Sequence, residues 1–172
     1  MTDASTIIVP VETPLIFTRF HGPVPLSLFE RITALLTGLA CLSVLIVGAY
    51  LNPSPTGTGT HRQLGLAACA FQVRTGLPCP SCGYTTAYTF FVHGNWIASF
   101  YTQPMGFVMA LLTAMVMWVG LYIAITGRPV HRFFSMLPGR YYVVPLLSFA
   151  LLAWGYKIVL TLTGHDGWRG LR

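Results

Sequence analysis

The sequence predicts an all-α, polytopic integral membrane protein, with three transmembrane helices and short helices that carry a cysteine loop. Charged residues make up 8% of the 172-residue chain, apolar residues make up 54%, and the mean hydropathy is +0.66. Soluble domains carry about 25% charged residues, so this chain has too few charges to cover a surface that faces water. A lipid bilayer is therefore the predicted environment.

Three apolar stretches are predicted to cross the membrane, because each reaches the ~20 residues that a helix needs to span the hydrocarbon core. They cover residues 32–51, 104–125 and 141–163, and the third contains Lys157. A lone lysine near the end of a span is usually explained by snorkelling, with its ammonium group at the interface. We expect this for Lys157, because the sequence offers no acidic residue within the spans.

The domain organisation predicted from these spans is simple. Residues 1–31 form an N-terminal tail interrupted by prolines, and residues 32–172 form a single membrane domain. Within that domain, residues 61–103 are too polar for a routine span and too apolar for a free loop. They are the predicted cysteine-loop region.

Two short helices are predicted in the cysteine-loop region. Thr60 and Gln63 have the spacing of a capping box, and Gly76 is a suitable terminator for the helix that they begin. The second helix covers residues 80–93, with Cys79 as its cap residue and a proline at its first position. Fourteen helical residues rise only ~20 Å, so both helices are expected to be interfacial or re-entrant.

The candidate chemistry lies in Cys69, Cys79 and Cys82, which fall within fourteen residues. A Cys-Pro-Ser-Cys sequence at a helix start places thiols near free N–H groups and the positive end of the dipole, which favours thiolates. Thiolates ligate soft metals or exchange disulfides, so structural pairing, metal ligation and redox chemistry all remain open. The fourth cysteine, Cys41, lies within a span and is expected to be a small buried apolar residue.

Three cysteines are one ligand short of a structural, tetrahedral zinc site. His93 is a poor fourth ligand, because it lies eleven residues beyond Cys82 and a continuous helix would separate them by ~16 Å. It is predicted instead to end a polar stripe that lines a wet groove or hydrogen-bonds to the spans. The stripe consists of Thr85, Thr86, Thr89 and His93. The loop histidines that lack a second ligand at metal spacing are His61, His131 and His165.

The cysteine pattern resembles a family of small bacterial membrane proteins grouped as domain of unknown function two-seven-five-two. The resemblance covers about residues 64–112 and departs from the family pattern at Thr86, Asn95 and Gln103, where arginine, aspartate and asparagine are usual. It implies a bacterial membrane protein but no particular activity. The matching residues are Cys69, Thr75, Gly76, Leu77, Cys79, Pro80, Cys82, Gly83, Thr85, Ala87, His93 and Gly94.

The sequence favours a non-enzymatic role, because it contains no carboxylate pair, no Ser/His/Asp set and no phosphate loop. The leading hypothesis is a membrane subunit or scaffold whose cysteine loop, held by a disulfide or a zinc-like metal, contacts other membrane protein subunits. One alternative is a membrane thiol–disulfide oxidoreductase that uses Cys79 and Cys82. The other is a protein that handles a metal or small molecule with the cysteines and the polar stripe. A nucleic-acid partner is excluded, since the net charge of +6 comes from arginines scattered at segment ends.

Arginines also indicate the orientation. Arg128, Arg132 and Arg140 crowd one short loop between predicted spans, and cytoplasmic loops are enriched in positive charge. We therefore expect a cytoplasmic N-terminus, in a bacterial inner membrane, with the cysteine loop on the outer side.

Overall fold

The structure is a computed structural model, and it describes residues 26–128 and 139–168. These residues form α-helices and one short 3-10 helix, Thr60–Leu64, and contain no β-strand, so the predicted all-α class is confirmed. The α-helices, numbered in chain order, are α1 (Leu28–Tyr50), α2 (Ala70–Thr75), α3 (Tyr84–Val92), α4 (Trp96–Thr102), α5 (Pro104–Thr126) and α6 (Arg140–Leu162).

Helices α1, α5 and α6 are long and apolar enough to cross a membrane, which confirms the three predicted spans. Each has 23 residues and therefore a length of ~35 Å. Helix α1 begins four residues before the predicted start at residue 32, because Ser27 and Glu30 form a capping box. The Ser27 hydroxyl oxygen accepts from the Glu30 N–H, and the Glu30 carboxylate accepts from the Ser27 N–H at 2.8 Å.

The short helices lie at one end of the bundle, because they connect the C-terminal end of α1 to the N-terminal end of α5. We call residues 51–103 the cap. The longest cap helix, α3, has nine residues and rises only ~14 Å, too little to cross a bilayer. The prediction that this region does not cross the membrane is therefore confirmed.

The predicted helix from Thr60 to Gly76 is instead two pieces. The 3-10 helix ends at Gly65, which adopts a left-handed conformation with φ of +78°, and residues 66–69 lead from there to α2 without regular structure. Gly76 does end α2, with φ of +72°, as predicted.

The predicted start of the second cap helix was wrong. Residues 80–83 form a turn and α3 begins only at Tyr84, so Cys79 is not a helix cap. The cause is Gly83, whose φ of +93° interrupts the right-handed path from the turn into the helix.

Two glycines allow α1 and α5 to pack at close range. A Cβ atom added to Gly120 would lie 2.8 Å from the Ala34 carbonyl oxygen and 3.2 Å from the Gly38 Cα. Small residues at such crossings permit the backbone approach that drives association of helices in lipid. At the end of the bundle opposite the cap, Arg31 donates to the Ala124 carbonyl at 2.9 Å, so the last turn of α5 is tied to α1.

Lys157 joins α6 to the cap and to the C-terminal segment. Its side chain is completely buried, and its ammonium group donates to Asp166 at 2.5 Å, to the Thr102 carbonyl at 3.1 Å and to the Gly57 carbonyl at 3.2 Å. Snorkelling would leave the ammonium group exposed at the interface, whereas here it is buried among protein groups at the cap end of α6. The chain turns back after α6 at Gly164, with φ of +70°, and this brings the carboxylate to the lysine.

We predict that Gly120→Ala destabilises the fold, because its methyl group would collide with the α1 backbone. Overpacking of this kind costs about 1–3 kcal/mol. The measurement is thermal unfolding in detergent. The matched control is Gly155→Ala in α6, where an added Cβ has no heavy atom within 4 Å and the melting temperature should hold. An equal effect of the two substitutions would contradict the close packing of α1 and α5.

We also predict that Asp166→Asn lowers the thermal stability more than the double variant Lys157→Met/Asp166→Asn does. The single variant leaves a buried ammonium group without its counter-charge, and breaking a buried pair typically costs about 3–5 kcal/mol. The double variant removes both charges. The variant Arg74→Gln, at an exposed position, is the control for the loss of one charge. Equal melting temperatures for wild type and Asp166→Asn would show that the pair does not hold the C-terminal segment.

Candidate metal centre

Three cysteines converge in the cap. The sulfur atoms of Cys69, Cys79 and Cys82 all lie within 4.8 Å of one another, and those of Cys79 and Cys82 are 3.0 Å apart. The prediction that Cys69 folds back onto the other two is confirmed. All four cysteines are free thiols, and half-buried Cys41 in α1 lies outside the group. We call Cys69, Cys79 and Cys82 the cysteine triad.

Local sequence explains the convergence. Cys69 immediately precedes α2, and Gly76 ends that helix after less than two turns. Pro78, which is buried, follows without regular structure, and a turn comes next in which the Cys82 N–H donates to the Cys79 carbonyl at 3.0 Å. A short helix followed by a reversal thus returns the chain to the position where it began.

Long-range hydrogen bonds hold the backbone of this turn from two sides. The Trp154 indole N–H on α6 donates to the Pro78 carbonyl at 2.9 Å, and the Gln103 amide donates to the Pro80 carbonyl at 3.3 Å. Gly83 closes the turn against the bundle, because an added Cβ would lie 3.0 Å from the Gly57 carbonyl and 3.4 Å from the Lys157 ammonium nitrogen. The triad is therefore mounted on the spans as well as on its own loop.

The two cysteines of the Cys-Pro-Ser-Cys turn have opposite acidities. Burial raises the pKa of Cys79, but hydrogen bonds with Cys82, Ser81 and Cys69 outweigh it and lower the pKa from 9.0 to about 7. Burial, followed by the hydrogen bond with Cys79, raises the pKa of Cys82 to about 12. Cys79 is therefore the first of the two to lose its proton, and the Cys82 thiol can then donate to it.

The source of this acidity differs from the sequence prediction. A helix dipole acting on a cap residue was expected to lower the pKa of Cys79, but α3 begins five residues later at Tyr84. The Ser81 hydroxyl, 3.4 Å from the Cys79 sulfur, and the Cys82 thiol supply hydrogen bonds instead.

The triad opens into a cavity of about 290 Å³ in the cap. His61 lines this cavity with all three cysteines, and one ring nitrogen, Nε2, donates to the Ala67 carbonyl at 3.2 Å. The sequence did not indicate His61 as a ligand, because it was taken as a loop histidine without a second ligand at metal spacing. The available signal was the helix start predicted at Thr60, which placed His61 within the folded cap.

The polar stripe is only partly buried, because Thr85 is half-buried and His93 is exposed. Thr86 and Thr89 are buried, and the Thr86 hydroxyl is 2.8 Å from that of Thr60 in the 3-10 helix. Thr89 donates to the Thr85 carbonyl, and His93 Nδ1 donates to the Thr89 carbonyl at 2.7 Å. Within residues 26–128 and 139–168, no hydrogen bond joins a stripe side chain to a span. A role for the stripe in a wet groove stays a prediction.

His93 and the triad are separate, as the sequence predicted. Among the described residues, the group with metal-ligating atoms in mutual reach contains the three cysteines and no histidine. His165 follows α6 and is exposed, whereas His131 lies outside the described residues.

The fold and the site together define a small helical membrane protein with a cysteine triad in an extramembrane or interfacial cap. A family model described as "Protein of unknown function (DUF2752)" matches residues 69–117, from the first triad cysteine into α5. This match confirms the resemblance inferred from the sequence. No curated protein and no solved structure matches the chain significantly.

We predict that Cys79 is the fastest of the triad to react with iodoacetamide in metal-free protein. The thiolate is the reacting species, so the rate should rise with pH and reach half its maximum near the Cys79 pKa of about 7. Cys82, with a pKa of about 12, should stay unmodified at neutral pH. Mass spectrometry of each cysteine peptide across a pH series measures both.

Ser81→Ala is the matched control for this prediction. It removes one hydrogen bond to the Cys79 sulfur, so the midpoint of the Cys79 profile should move to higher pH. Faster modification of Cys82 than of Cys79 would contradict the assigned acidities.

Proposed function

We propose that this protein is an integral membrane subunit whose cap is stabilised by a metal ion bound to Cys69, Cys79 and Cys82. The observation that carries this proposal is the convergence of three sulfur atoms within 4.8 Å. Zinc–sulfur bonds of ~2.3 Å in a tetrahedral site place sulfur atoms ~3.8 Å apart, so only small movements would complete such a site.

Metal ligation accounts for the triad better than a disulfide does. A disulfide would use two sulfur atoms and leave the third without a chemical role, whereas a soft, zinc-like ion uses all three. A bound cation also deprotonates its thiol ligands. Its positive charge would offset the negative charge of a buried Cys82 thiolate. The same convergence makes a Cys69 disulfide with either partner the main competing outcome.

The ion would act structurally. It would join the start of α2 to the turn before α3, and helices of six and nine residues are too short to be stable alone. Apparent binding free energies at structural zinc sites reach about 10–16 kcal/mol in small zinc-finger peptides, which shows that a metal can stabilise such small elements. Metal binding would therefore make the cap rigid at one end of the bundle.

Exposed apolar surface supports the proposal that the protein associates with other membrane subunits. In the most apolar stretch of each span, only 11–22% of the residues are buried within the chain. Lipid covers such surfaces, and so do the helices of a partner. The cap adds exposed Val73 on α2 and exposed Trp96 and Ile97 on α4, which suit a partner surface or the membrane interface.

The proposed location is a bacterial inner membrane with a cytoplasmic N-terminus. Arg31, Arg128 and Arg140 lie at the end of the bundle opposite the cap, whereas the cap carries Arg62 and Arg74. The positive-inside rule then supports an outward-facing cap. If that compartment is oxidising, the location favours the competing disulfide of Cys69 with Cys79 or Cys82, because disulfides form and persist there.

A second candidate, a thiol–disulfide oxidoreductase, is favoured by the acidity pattern. The Cys79 thiolate would attack a disulfide in a partner protein and release one of its sulfurs as a thiolate. Cys82, after losing its proton, would then attack the mixed disulfide, which releases the second partner sulfur and leaves a Cys79–Cys82 disulfide. The low pKa of Cys79 and the high pKa of Cys82 suit the attacking and resolving roles.

We predict that wild-type protein, purified in mild detergent without chelator, contains about one metal ion per chain. Single Cys69→Ser, Cys79→Ser and Cys82→Ser variants should each lose the metal and melt at a lower temperature, because each removes one of three ligands. Cys41→Ser is the matched control and should keep the metal. Elemental analysis and thermal unfolding are the two measurements.

The alternatives give different results in the same set of variants. The wild-type protein could instead contain no metal and show two fewer titratable thiols, which reductant restores. This result would show that a disulfide, and not a metal, joins the cysteines. Full stability of all three variants, with thiol exchange lost in Cys79→Ser, would favour the oxidoreductase.

A further inference from the structure

We propose that His61 is the fourth ligand of the cysteine-triad metal, which makes the centre a Cys3His site. This inference rests on the proposed metal-binding function and assigns a residue beyond the triad. Structural zinc sites are four-coordinate and closed, and Cys3His is one of the usual ligand sets. The triad alone would leave one position open toward the cavity.

The cavity offers His61 as its best remaining ligand. Among the residues that line the cavity, His61 is the one histidine. The nearest alternatives around the sulfurs are the oxygens of Ser81 and Gln72, at 3.4 Å from Cys79 and 4.0 Å from Cys82 respectively. A zinc-like ion with three thiolates favours imidazole nitrogen over a neutral oxygen.

The His61 ring already has the hydrogen bond that a ligand needs. A carbonyl oxygen only accepts, so Nε2 must carry the proton that it donates to Ala67 at 3.2 Å. In a neutral ring this leaves the lone pair on Nδ1. Metal-ligating histidines almost always donate their other N–H to a carbonyl, a carboxylate or water, which fixes the tautomer in this way.

Metal binding must draw His61 closer to the triad. Its ring lines the cavity but lies outside the group of atoms within 4.8 Å of one another. Residues 62–67 are exposed, and Gln63 anchors them to the Asn52 backbone, so the movement is a local adjustment of His61 and of the Ala67 carbonyl around that anchor. Gly65 within the segment has a left-handed φ of +78° and no heavy atom within 4 Å of an added Cβ, so the movement meets no packed neighbour there.

The other histidines that the structure describes are suitable controls. His93 Nδ1 donates to the Thr89 carbonyl at the far end of α3, and exposed His165 follows α6. Both differ from His61 in that they do not line the cavity. Their substitution tests whether an effect belongs to His61 or to any histidine.

The experiment loads the full-length protein in detergent with Co²⁺, a spectroscopic probe for zinc sites, and titrates it against Zn²⁺. Wild type should give the spectrum of tetrahedral cobalt with three sulfur ligands and one nitrogen ligand. His61→Gln should weaken the affinity for both ions by at least about tenfold, because loss of an outer-sphere partner alone costs about 10–100-fold. His93→Gln and His165→Gln should bind as wild type does.

His61→Cys distinguishes ligation from a merely structural role. A fourth thiolate should restore the affinity and raise the intensity of the sulfur-to-cobalt charge-transfer band by about one third, since three sulfur ligands become four. Loss of binding in His61→Gln without recovery in His61→Cys would assign His61 a structural role and overturn the inference.

Two further outcomes separate the inference from the proposal beneath it. In one outcome, His61→Gln keeps the wild-type affinity and spectrum while the triad variants lose binding. The triad would then be a metal site without His61 as a ligand. Absence of Co²⁺ and Zn²⁺ binding in the wild type would overturn both.

Discussion

The buried ammonium group of Lys157 is the constraint around which the cap and the bundle are organised. A charge within a span must be compensated, and the partners here come from three different segments of the chain. Asp166 neutralises it after α6, and the Gly57 and Thr102 carbonyls accept from it in the cap. Its position therefore fixes where the cap and the C-terminal segment meet the third span.

The same helix controls the geometry of the cysteine triad. Trp154, one turn before Lys157, holds the Pro78 carbonyl at one side of the Cys-Pro-Ser-Cys turn. The Lys157 ammonium nitrogen lies against Gly83 at the other side, where an added Cβ would approach it to 3.4 Å. A change in the packing of α6 would consequently move the backbone that carries Cys79 and Cys82. The geometry of the cap and the packing of the spans are coupled through these contacts.

The triad illustrates how burial and hydrogen bonding divide one charge among similar groups. Cys79 is stabilised as a thiolate by its neighbours, and buried Cys82 stays protonated and donates to it. Such a pair is prepared for a cation, which would replace the shared proton, and also for thiol exchange. The third sulfur supports the proposed ligation, because exchange uses only two thiols.

Local sequence was sufficient for the membrane class, the three spans and the convergence of the cysteines. Length and hydropathy define a span over consecutive residues, and Gly76 with Pro78 forces a reversal within a few residues. The partner of Lys157, the late start of α3 and the place of His61 beside the triad emerged only in three dimensions. Each depends on contacts between separate segments, such as the approach of Gly57 and Asp166 to Lys157, which leaves no periodic or compositional signal. Hydropathy reports the environment of a segment, whereas ion pairs and ligand sets depend on which segments meet.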